Sequence, residues 1–232
     1  MELKLPPIPV EQLFGHIQEQ LNKVRLFLPA LDRDERSDDN RYRGIFRGLL
    51  METQDGFRNA VEAWKTNDYR RLAWATRSLV ELKLWTKYVL ISSDNALALS
   101  RESDVDASNL WNLLKPAFNT ESGQQLFMQV FSMPLSELTT KIQQRLDSVG
   151  LTGDEDYMRM AQVAKEVGLL PEYKFVNTTM SKFVHPTGLS ILIDPVAGRA
   201  MMPLNCVGAC QNAKQILDDI QTHLPKVGLP TF

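Results

Sequence analysis

The sequence lacks any charge-free run of about eighteen apolar residues, which excludes a membrane-spanning helix. It also lacks an H-E-x-x-H, a C-x-x-C, a nucleophile elbow, and a glycine-rich phosphate loop following a strand. These absences remove the common signatures of zincins, thiol–disulfide enzymes, α/β-hydrolases and dinucleotide-binding enzymes. Cysteine is scarce, with Cys206 and Cys210 alone. Two thiols four residues apart on a helical pattern do not make a disulfide framework, so reduced cysteines and a cytoplasmic location are expected. Zinc would need further ligands, and the chain has three histidines, His16, His185 and His223. No metal site and no cofactor are expected. The stretch MELKLPPIPVEQ has no basic region followed by an apolar core, so it does not read as a signal peptide.

A net charge of −2 over 232 residues gives no global pull toward nucleic acid or an anionic surface. Forty-four per cent hydrophobic and 23% charged residues are ordinary for a globular chain, and the length suits one large domain.

What the chain does have is helical periodicity. Val10, Leu13, Phe14, Ile17, Leu21, Val24 and Leu28 recur at helical spacing, after a proline-containing extended lead-in over 1–9. A second helix is expected over about 41–65, on Phe46, Leu49, Thr53, Phe57, Ala60 and Trp64. On its neighbouring side Arg43, Arg47, Gln54 and Arg58 read as a solvated face or, alternatively, as a phosphate-facing strip. Asn67-Asp68 then forms a turn and N-cap signal, which makes an antiparallel helical hairpin. Short helices are expected over 96–102 and around 107–118, separated by polar Ser103–Asp106. Further ones are expected over 126–131, 135–149, 154–167 and 171–184, and a last one over 205–224. Leu189–Ile193 is the one extended run, and 225–232 reads as an irregular tail. The expected fold is one all-α, multi-helix domain over 1–232.

The stretch Tyr69–Ile91 dominates. Leu72, Ala75, Leu79, Leu82 and Leu90 mark one face; Ala73, Val80, Leu84 and Tyr88 mark another; Trp74, Trp85 and Val89 fill a flank. Thr76, Lys83 and Lys87 leave a polar flank. A helix apolar nearly all round belongs inside a bundle. Arg77 and Glu81 interrupt one apolar face at i,i+4 spacing. They are either a structural ion pair or a cleft in which Arg77 holds an anion and Glu81 orients it or takes a proton.

A second constellation lies at Ser181-Lys182-Phe183-Val184-His185-Pro186-Thr187. Ser181 and His185 share one side of a helix that must end before Pro186. They form a helix stop, or His185 is a general acid or base facing Arg77 and Glu81. The candidate catalytic residues are Arg77, Glu81 and His185, and the candidate ligand contacts are Arg77, Ser181 and Tyr88.

R-S-L-V-E-L with the following K-Y-V, then A-K-E-V-G-L-L-P-E-Y and S-K-F-V-H-P-T, resembles a bacterial family of uncharacterised all-helical proteins. That family shows R-x-x-x-E early and S-x-x-x-H-P late, and the resemblance spans about 64–192. More distantly the pattern is similar to the HEPN superfamily, helical bundles that include metal-independent ribonucleases of toxin and antiviral systems. Those nucleases place an arginine four to six residues before the catalytic histidine, where this chain has Thr179, Met180 and Ser181. Two functions follow. One is a non-catalytic helical module that binds a partner or ligand through a polar Arg/Glu/His cluster. The other, implied by the resemblance, is a HEPN-like effector acting on RNA or a nucleotide, in which Arg77 binds phosphate and His185 moves a proton. A homodimer is a further expectation, and a membrane partner is not.

Overall fold

Apolar residues at helical spacing fold into helices throughout the described residues. The computed structural model describes residues 9–31, 41–150, 158–184 and 195–232. Among the described residues there are ten α-helices and no strand. They are α1 (Val10–Phe27), α2 (Arg41–Lys65), α3 (Tyr69–Val89), α4 (Ser93–Leu114), α5 (Glu121–Phe131), α6 (Leu135–Val149), α7 (Met160–Glu166), α8 (Leu170–Val184), α9 (Pro195–Ala200) and α10 (Met202–His223). The architecture is all-α, as the periodicity requires. The lead-in up to residue 8, the extended run Leu189–Ile193 and His185 lie outside the described residues.

The helices cluster into two compact units, 1–96 with 160–232, and 97–159. In the first unit α3 packs against α10, α2, α8 and α7. Its start is fixed locally. Asn67 takes a left-handed φ of 55°, and the Asp68 carboxylate accepts from the amides of Arg70 and Arg71. Eleven of its 21 residues are buried, against ten of 22 in α10. Phe14 of α1 meets Phe57 of α2 edge-on at 5.6 Å, and that contact closes one side of the core.

The inward faces differ from the sequence expectation at α3. Thr76 and Lys83, expected on a polar outer flank, are buried, whereas Trp74 is exposed. The reason is partnership. Thr76 donates to Asn205 O of α10 at 3.1 Å, Lys83 pairs with Glu172 of α8 at 2.5 Å, and Lys87 pairs with Asp219 of α10 at 2.9 Å. A polar stripe supplied with acceptors can face neighbouring helices. Gly208 permits the close approach on the α10 side, because a Cβ there would lie 3.3 Å from Thr76 Cγ2.

Pro203 opens α10 a few residues earlier than expected, at a position that needs no amide donor. The tail after α10 is less irregular than its composition suggests. Leu224–Val227 is a 3-10 turn, Leu229 is buried, and the Phe232 ring lies 5.4 Å from Phe27.

In the second unit Trp111, Phe118, Phe127 and Phe131 form an aromatic cluster, with Phe127 at its centre. The expected break at Ser103–Asp106 is absent, and α4 runs through it. Val105 is buried, Asp104 Oδ1 accepts from Arg145 Nε at 3.0 Å, and Glu102 accepts from the Met158 amide. With those partners, polar residues need no loop. The Gly150 stop on α6 is found as expected, at a φ of 70°.

Candidate functional site

A polar surface, called the cleft below, runs along the contact between α3 and α8, which are antiparallel. Three contacts fix that register: Lys83 to Glu172, Arg77 to Ser181, and the Tyr69 ring to Phe183 at 6.2 Å, edge-on. Trp74, Arg77, Glu81 and Trp85 recur along one side of α3 at spacings of three and four, which puts them in a stripe. That stripe is the least buried side of the helix.

Arg77 Nε donates to Glu81 Oε1 at 2.9 Å, with the side chains 25% and 30% exposed. The pair therefore sits at a half-open surface rather than in the core expected for it. Arg77 Nη1 reaches Ser181 Oγ at 3.5 Å, the long limit of a hydrogen bond. The Ser181 hydroxyl donates to Asn177 O, one turn back in α8. Tyr173, one turn before Asn177, completes the stripe. Burial and the Glu81 carboxylate push its hydroxyl above the ordinary value, while the Arg77 guanidinium acts the other way. Tyr173 therefore stays protonated at neutral pH and is a donor.

The structure thus brings Arg77, Glu81 and Ser181 together. Tyr88, expected among the ligand contacts, is buried farther along α3, its ring edge-on to Trp85 at 5.9 Å. His185 lies outside the described residues. Tyr173 and Asn177, which are not among the candidate site residues, lie beside the same cluster, and Trp74 shares the α3 stripe with Arg77. The four-residue spacing of Tyr173, Asn177 and Ser181 is the signal that marks them as one face.

The cleft offers donors: the guanidinium of Arg77, the phenol of Tyr173 and the amide of Asn177. Glu81 is its carboxylate. The Ser181 proton points at a carbonyl of its own helix, so Ser181 is not aligned with a base for nucleophilic attack.

Three residues of the α2 polar strip have contacts within the chain. Arg43 Nη1 donates to Ala30 O at 3.2 Å, Gln54 donates to Leu21 O at 3.1 Å, and Arg58 pairs with Asp55 at 2.8 Å. Cys206 and Cys210 are buried, and burial pushes their thiols up to about 12 and about 11. Among the described residues no group of three or more His, Cys, Asp or Glu side chains is placed to hold a metal ion. No helix of the described residues is long and apolar enough to cross a membrane.

The chain matches no protein-family model, no curated protein and no solved structure.

Proposed function

We infer that this chain is a non-catalytic binding module, and that the α3–α8 cleft is where it holds the anionic group of a ligand. The carrying observation is the convergence at Arg77 of donors from two helices: its guanidinium, 25% exposed, lies on Glu81 of α3 and reaches Ser181 of α8, beside Tyr173 and Asn177. An anion oxygen can take the place of that long contact and gain a charge-assisted bond from the guanidinium. Tyr173 and Asn177 supply further donors on the opposite wall. Trp74, one turn before Arg77 and 47% exposed, adds an aromatic surface beside the charge. A ligand bearing a phosphate or carboxylate next to an unsaturated ring suits this set, and a nucleotide or single-stranded RNA is the first candidate.

The test is a tryptophan-fluorescence titration with nucleoside monophosphates and a short RNA, on the wild type and on Arg77→Gln. Saturable quenching that weakens at least tenfold in the variant, with an unchanged unfolding midpoint, supports the cleft. Equal binding by both proteins, or none by either, overturns it. The same RNA, incubated and run on a denaturing gel, separates the second function: cleavage that disappears in His185→Gln would replace the binding module by a HEPN-like ribonuclease.

A further inference from the structure

We draw no further inference here: the strongest candidate, the exposed apolar surface of α4 and α5 in the second unit, around Leu113 and Leu126, carries nothing, because nothing in the structure shows what covers it.

Discussion

Lys83 of α3 and Glu172 of α8 form an asymmetric ion pair: the lysine side chain is 9% exposed and its partner 41%. The carboxylate keeps much of its water, whereas the ammonium has little besides the carboxylate. Removing the two partners should therefore have unequal consequences. Glu172→Gln leaves a buried cation without its counter-charge and should cost on the order of 1–3 kcal/mol. Lys83→Met substitutes an apolar chain of similar length and leaves a solvated glutamate, so it should cost less or stabilise. Chemical denaturation of both variants checks this. Equal losses would mean that Lys83 reaches solvent in solution.

Leu79 and Leu82 give a second contrast. Leu79 is fully buried against α2, where Gly56 leaves room for it: a Cβ at Gly56 would sit 3.2 Å from Leu79 Cδ2. Leu79→Ala should cost about 2–5 kcal/mol. Leu82 is only half-buried, and Leu82→Ala should cost less. Unfolding midpoints measured in urea rank the two, and the reverse order would contradict the packing of α3.

How far the sequence could be read follows from these same residues. Leu72, Leu79 and Val80 announce a buried helix by their spacing, and α1, α2 and α6 are legible in the same way. The inward turn of Thr76, Lys83 and Lys87 was not legible. It depends on Asn205, Glu172 and Asp219, which are 89 to 132 positions away. Nor was the continuity of α4 across Ser103–Asp106, because its polar residues find Arg145 and the Met158 amide only in the folded unit. No linker marks the boundary near residue 97, since α4 runs straight across it. Of the candidate site, the i,i+4 arrangement of Arg77 and Glu81 was visible. Its partial exposure was not, because periodicity places a residue on a face without saying which neighbour covers that face.

Cys206 and Cys210 should be inert in the native protein. Their thiols are pushed up to about 12 and about 11 and are buried on α10, so almost no thiolate is present at pH 8. An aromatic disulfide reagent should label neither cysteine under native conditions and both in guanidinium. Rapid labelling of the folded chain would show that α10 opens locally.

His223 should make stability fall as the solution is acidified. Its ring lies 5.7 Å from Tyr42 and 5.9 Å from Phe46, and burial, with a smaller effect from Lys226, holds its pKa below the ordinary value near 6.5. The folded state thus resists a proton that the unfolded chain accepts. This contribution is fully present above about pH 6.5, is lost progressively as the pH falls below that value, and levels off beneath the folded-state pKa. His223→Gln removes the dependence. Thermal unfolding of wild type and variant from pH 8 to pH 5 should show their midpoints diverging on acidification. Parallel curves would exclude His223 as a source.

The Arg77–Glu81 pair should contribute little to stability. Each side chain keeps a quarter or more of its exposure, 25% and 30%, so water screens the attraction. Arginine also precedes glutamate along the helix, the less favourable order for an i,i+4 pair. A double-mutant cycle with Arg77→Ala and Glu81→Ala should return a coupling below about 1 kcal/mol. That number bears on function. A pair kept to lock α3 against α8 would be desolvated, and breaking it would cost several times as much. A pair that is weak in the free protein can be rearranged by a ligand at little cost to stability. The cycle repeated in the presence of a saturating nucleotide should then show a larger effect of Arg77→Ala than of Glu81→Ala, because the arginine touches the anion and the glutamate only braces it. A coupling above about 2 kcal/mol in the free protein would mark the pair as a structural clamp and remove the main support for the cleft as a binding site.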